Sequence, residues 1–136
     1  MEPLTTLFDE VTGEALPLPP ELLSLYGPLR MRPRSERPHV FANFVASVDG
    51  VVAIDPPRGT GADISRGNPQ DRAVMGLLRA IADAVVIGAG NLRAEGDHVW
   101  TAAHVCPELS PAYARLRAAL GKPPAPIQVV VTGSGD

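Results

Sequence analysis

A chain of 136 residues with 45% apolar side chains forms at most one domain and is long enough to bury a core. Its net charge of −3 offers no cationic footprint for nucleic acid, and its single cysteine, Cys106, excludes a disulfide framework and a cysteine-based four-ligand zinc cluster. No apolar run reaches the roughly 20 residues of a membrane span. The acidic opening MEPLTTLFDEV also lacks the order of a signal peptide. The expectation is a soluble cytoplasmic protein with no nucleic-acid and no membrane partner.

Residues 1–38 carry two apolar patches, Leu4–Phe8 and Glu21–Tyr26, separated by LPLPP. Pro19 and Pro20 suit the first turn of a short helix. Arg30, Arg32, Arg34 and Arg37 then fall within eight residues, a solvated linker or a patch that greets a phosphate. From His39 to Ser47 the chain is almost continuously apolar and reads as a strand covered on both faces, with Asn43 its polar interruption. Asp49-Gly50 supplies turn chemistry, and VVAI continues as a possible second short strand. DPPRGTGADISRGN holds three glycines and two prolines and is expected to be irregular.

Asn68 starts the clearest helix: a favoured N-cap, Pro69 in the first position, and Asp71 at the positive end of the dipole. Val74, Leu77, Leu78 and Ile81 make one apolar stripe, and Gly76 reads as a point where the helix approaches a strand. Ala84 to Ile87 is a buried-type strand ending in Gly88-Ala89-Gly90-Asn91. Ser110 and Pro111 open a further helix with Tyr113, Leu116, Ala119 and Leu120 on one side, stopped by Gly121. Ile127 to Thr132 is again continuously apolar and reads as a buried strand.

Strand, helix, strand, helix, strand is the order of a parallel α/β sheet. Three strong strands are few, so the expectation is the N-terminal part of a larger fold, or one that a partner completes. Residues 1–38 form a Pro-rich lead-in and 39–136 the N-terminal part of the functional domain.

Individual residues leave alternatives open. Gly88 and Gly90 fit the first two positions of G-x-G-x-x-G, but Arg93 occupies the third; the turn could bring backbone N–H groups to a cofactor or be only a tight turn. Asp49 is a ligand-facing carboxylate or part of an Asp-Gly turn. Arg79 is an exposed helix arginine or a phosphate clamp. His98, His104 and Cys106 match no standard zinc spacing, so no metal is expected.

Taken together, RPHVFANFVASVDGVVA followed by DRAVMGLLRAIADAVVIGAGNLRAEG resembles the reductase domain of riboflavin biosynthesis, the C-terminal domain of bifunctional deaminase–reductases. Stand-alone pyrimidine reductase-like members are similar, including the Pro-rich lead-in. The resemblance covers residues 37–95 well and 110–132 loosely. It implies a dihydrofolate-reductase-like α/β fold, incomplete at its C-terminal end, and NADPH-dependent reduction of a ribosylamino group on a phosphorylated aminopyrimidine. It also implies a homodimer.

By the same resemblance Ala46 lines the nicotinamide site, and Ser47 and Asp49 stand at the mouth of the active site, with Asp49 as the catalytic candidate. Gly88, Gly90, Asn91 and Glu95 fall on the NADPH side, while Ser47, Ser65 and Arg79 fall on the substrate side. Asn43 stands where the riboflavin reductases carry Lys, and Asn91 replaces Thr. Gly61 to Ser65 replaces the usual Ser-x-Trp. The family's second glycine-rich segment, which cradles the NADPH phosphates, would lie past residue 136. A reductase of another pterin- or pyrimidine-like substrate is the near alternative, and a fragment that only binds or associates is the distant one.

Overall fold

The computed structural model describes residues 1–10, 12–32, 36–52 and 61–135. Ala53 and Ile54 of the expected VVAI strand, Arg34 of the arginine-rich stretch and the start of the Gly/Pro-rich loop lie outside the described residues.

Helix α1, Pro20–Tyr26, begins at Pro19 and Pro20 as their fixed φ predicts. It buries Leu22, Leu25 and Tyr26, spaced i, i+3, i+4 on one face. Gly27, at φ 69°, ends it in a conformation only glycine adopts freely. A two-residue antiparallel pair, β1 (Glu14–Ala15) with β2 (Arg30–Met31), brackets this helix. The lead-in therefore contributes to the core rather than trailing from it.

The segment expected to form the first strand, residues 39–47, is not a strand. Phe41 and Phe44 are exposed, and the stretch runs without regular structure into a turn in which Gly50 N–H donates to Ser47 O (2.9 Å) and Ser47 N–H to Val51 O (3.0 Å). Apolar continuity says that a stretch fits a pleated, covered surface. It does not supply the neighbouring strand, and no described strand pairs with it.

The loop reading also needs correction. Residues Gly61–Ser65 form helix α2, stopped by two left-handed residues, Arg66 at φ 52° and Gly67 at φ 65°. Asn68 then caps α3 (Pro69–Ile81) as expected, its Oδ1 accepting from Gln70 N–H (2.8 Å) and Asp71 N–H (3.3 Å).

The buried face of α3 is rotated from the expected stripe. Ala73, Gly76, Leu77 and Ala80 are buried, while Val74, Leu78 and Ile81 are only half-buried. The cause is the packing partner: α3 lies against helices α5 (Ala102–Val105) and α6 (Ser110–Ala119), not against a sheet, and small residues let the helices approach. Gly76 is the closest point. A Cβ there would lie 2.8 Å from the Tyr113 ring of α6, so the glycine admits an aromatic ring rather than a strand. On α6, Tyr113 and Leu116 are buried as expected, Leu120 is half-buried and Ala119 is exposed.

Tyr113 and Tyr26 meet over α3. Both hydroxyls reach the Ala73 carbonyl, at 2.9 and 2.5 Å, and they lie 2.9 Å from each other. Two protons serve these three contacts, so one tyrosine donates to Ala73 O and the other donates either to the same oxygen or to its neighbour. Burial pushes Tyr26 up to about 12 and Tyr113 higher still. Arg117 fastens the other end of α3. Its Nη1 donates to the carbonyls of Arg79 (3.2 Å), Ala80 (3.0 Å) and Ala82 (2.9 Å), matching a cation to the negative end of the helix dipole.

The second sheet pairs β3 (Ala84–Gly88) with β4 (Ile127–Val131) in parallel, from Ala84 opposite Ile127 to Gly88 opposite Val131. The α/β class and the parallel crossover agree with the sequence reading. The burial does not: only Ile87 of β3 is buried, and every residue of β4 is exposed. Two strands with uncovered faces cannot bury an apolar run, whatever its composition.

Gly76→Ala tests the α3–α6 contact. Its helix propensity favours alanine by about 1 kcal/mol. Overpacking against a ring held by its own hydroxyl bonds costs about 1–3 kcal/mol. Urea unfolding is expected to show a net destabilisation, against the sign that propensity alone gives.

Candidate functional site

In parallel α/β sheets the crevice at the carboxyl ends of the strands is where ligands enter. Here that end is Gly88, in extended conformation (φ −78°, ψ 145°), and the chain passes directly into helix α4, Ala89–Glu95. The glycine segment is thus a strand-to-helix junction, with Gly90 and Asn91 in the first helical turn. No side chain among the described residues caps this helix. A Cβ at Gly88 or Gly90 would meet nothing within 4 Å, and neither glycine has a positive φ. Neither the backbone nor internal packing requires glycine there, and the exposed ledge leaves backbone N–H groups open to an approaching ligand.

The far end of α4 carries Glu95, half-buried, with its Oε2 3.3 Å from His98 Nδ1. His98 Nε2 lies 3.2 Å from Arg79 Nη1. A guanidinium only donates, so Nε2 accepts and the neutral ring carries its proton on Nδ1, facing the Glu95 carboxylate. Arg79 comes from the last turn of α3 and is 9% exposed, so it is not an exposed helix arginine. Its other contacts are the Thr101 carbonyl (3.4 Å) and Met75 Sδ (3.3 Å). Burial lowers the Arg79 pKa, and the Glu95 carboxylate opposes that effect.

Trp100 and His104 complete the surroundings. Their rings lie 4.9 and 4.5 Å from that of His98, the second edge-on. His98 enters the sequence reading only as a rejected metal ligand, whereas the structure makes it the bridge between Arg79 and Glu95. The signal was the Glu95-x-x-His98 spacing at a helix end, where i, i+3 side chains meet. No group of three potential metal ligands occurs among the described residues.

Ser47 and Asp49 form a separate feature. The Ser47 hydroxyl donates to Asp49 Oδ1 and accepts from Val51 N–H at 3.1 Å. That hydroxyl, and next the Asp49 backbone N–H, hold the exposed Asp49 carboxyl below its usual range. An aspartate so stabilised is an acceptor at neutral pH, which favours orienting a donor over delivering a proton. Ala46 is exposed beside it, and Ser65 is half-buried at the end of α2. Among the described residues the hydrogen bonds of Ser47 and Asp49 stay within their own turn. The structure unites Arg79 with Glu95 and leaves the Asp49 turn apart.

Fold and site together define an α/β domain with an open glycine ledge at a strand end and a partly buried polar chain at the far end of the helix that follows. The family model of the RibD C-terminal domain matches residues 38–136, and the chain belongs to that family, a reductase-type domain of the riboflavin pathway. No curated protein and no solved structure matches it. No helix among the described residues is long and apolar enough to cross a membrane.

His98 gives the site a pH dependence of definite sign. Burial, first, and then Arg79 and His104 lower its pKa from 6.5, while Glu95 opposes them. The unfolded chain therefore binds the proton more readily. The stability that the neutral ring contributes is complete above 6.5 and is lost as pH falls from there toward the folded pKa. Urea midpoints measured between about pH 5 and 7.5 are expected to fall with acidification in the parent chain. The slope should be shallower in His98→Gln, and equal slopes would remove His98 as its source.

Proposed function

We propose that the chain belongs to an NADPH-dependent reductase of a phosphorylated aminopyrimidine ribosyl compound, of the 5-amino-6-(5-phosphoribosylamino)uracil reductase type, acting by direct hydride transfer. The observation that carries this reading is the family match over residues 38–136. Bound NADPH would supply the hydride; the chain's own residues position and shield the reactants.

The residues present suit one side of that cofactor. Gly88 and Gly90 keep the ledge free of side chains, and the uncapped start of α4 offers N–H donors with Asn91 beside them. Ala46, small and exposed, leaves room for a flat ring. Glu95 lies on the cofactor side and Arg79 on the substrate side, and their link through His98 supports placing the two sides next to each other. In this reading Arg79 receives the substrate phosphate by exchanging its neutral partners for phosphate oxygens. Ser47 and Ser65 add hydroxyl contacts, and Asp49, ionised, orients the reacting group.

A second reading, reduction of another pterin- or pyrimidine-like substrate, is favoured by Asn43. It is neutral and exposed at the position where the riboflavin reductases carry a lysine. Assays of NADPH consumption against the aminopyrimidine ribosyl phosphate and against pterin-like substrates separate the two. Absence of both NADPH binding and NADPH oxidation would dismiss the reductase reading.

Two variants probe the assignment. Gly90→Val should weaken NADPH binding by about tenfold or more while leaving the thermal midpoint nearly unchanged, since its side chain meets only open space. Arg79→Gln should raise KM for the phosphorylated substrate much more than for its dephosphorylated analogue. An equal effect on both would take the phosphate away from Arg79.

A further inference from the structure

The N–H donors of Arg79 are used unequally. Nη1 meets His98 Nε2 (3.2 Å) and, more loosely, the Thr101 carbonyl (3.4 Å). Nη2 meets only the Met75 thioether (3.3 Å), a weak acceptor. Nε makes no hydrogen bond among the described residues. The one buried side-chain nitrogen or oxygen without a partner among them is Nη2 of Arg117, so Arg79 Nε is reached by solvent although the residue as a whole is nearly buried.

Nε–H and one Nη2–H of a guanidinium point the same way, and this edge of the fork matches the paired oxygens of a phosphate. The edge that Arg79 leaves open is therefore the one that such an anion needs. The nitrogen that is held, Nη1, lies on the other side of the fork.

What holds Nη1 is a histidine in a single protonation state. A ring that accepts at Nε2 carries its proton at Nδ1, and the Glu95 carboxylate lies 3.3 Å from that atom. The groups that face His98 come from three helices: Arg79 from α3, Glu95 from α4 and His104 from α5. A doubly protonated ring would set a second cation against Arg79 and offer it no acceptor. Without the acceptor, Nη1 would keep only its long contact to Thr101, and a long flexible side chain would have to be ordered at each docking.

Taking Arg79 as the phosphate-side residue of the proposed reductase, a reading on which this inference rests, we propose that His98 is its positioning residue. Glu95 fixes the His98 tautomer, His98 holds Arg79 Nη1, and Arg79 thereby presents its Nε–Nη2 edge to the phosphate of the substrate. The exchange of partners on docking is confined to that edge, and His98 stays in place.

Titration of ribose 5-phosphate into the ¹⁵N-labelled chain, with ribose as the control, tests this role. The His98 ring nitrogens should show the Nδ1-protonated tautomer, and the Arg79 Nε–Hε signal should shift with ribose 5-phosphate but not with ribose. His98→Leu fills the space without an acceptor and should weaken ribose 5-phosphate by about tenfold, the loss of a hydrogen bond to a charged group. His98→Gln, whose amide oxygen accepts from Nη1, should return binding to within about threefold of the parent. A ring needed only for packing would be replaced as well by leucine as by glutamine. Melting curves check that the variants fold, and the tautomer is read on the parent chain alone. An Nε2-protonated ring, parent-like binding by His98→Leu, or His98→Gln as weak as His98→Leu would each overturn the positioning role and leave Arg79 its phosphate. Parent-like binding by Arg79→Gln, or no preference for ribose 5-phosphate over ribose, would remove the phosphate from Arg79 and this role with it.

Discussion

The structure depends on how closely α3 and α6 approach. Gly76 lets the Tyr113 ring lie against the α3 backbone, and that approach brings the Tyr113 hydroxyl to the Ala73 carbonyl. Tyr26 arrives from α1 at the same oxygen, so three segments far apart in sequence share one buried polar point. A satisfied buried hydroxyl specifies geometry in a way that apolar contact alone does not, because the alternative arrangement leaves a donor without a partner. Around it Leu22, Leu77, Leu116, Val105 and Cys106 close the core. That core is helical.

The position of the candidate site follows from this junction. Because α3 is held at its middle by the tyrosines and at its end by Arg117, its last turn is fixed, and Arg79 with it. The Arg79 side chain can then turn inward to His98 instead of outward to water. His98 accepts from the arginine and presents its Nδ1 proton to Glu95, at the end of the helix that begins on the glycine ledge. A short polar chain thus connects the C-terminal end of α3 with the C-terminal end of α4. The burial of Arg79 and the partial burial of His98 make the neutral state of His98 part of the arrangement.

The sheet contributes less than its sequence promised. β3 and β4 pair in parallel as expected, yet β4 is exposed throughout and no described strand pairs with the apolar stretch at 39–47. Those residues carry the β-branched and aromatic character of a covered surface. Such character measures fitness for packing against neighbours and becomes burial only where the neighbours exist.

The sequence by itself determined the local events. Asn68 and Pro69 start α3, Pro19 and Pro20 start α1, and Gly27 and Gly121 end their helices, because these effects depend on φ, on missing N–H groups and on side chains that reach only two or three residues. The paired motifs around Asp49 and Gly88–Glu95 likewise pointed to the family that the match over residues 38–136 establishes. Tertiary structure decided which face of each element is buried. It turned the α3 stripe toward Ala73, Gly76 and Ala80, gave Gly76 a tyrosine ring as its neighbour, buried Arg79 and Arg117, and made His98 a bridge instead of a stray ring. Periodicity records that a face is apolar. What meets that face depends on contacts between residues forty to ninety positions apart, as between Tyr113 and Ala73 or Tyr26, which no local pattern encodes.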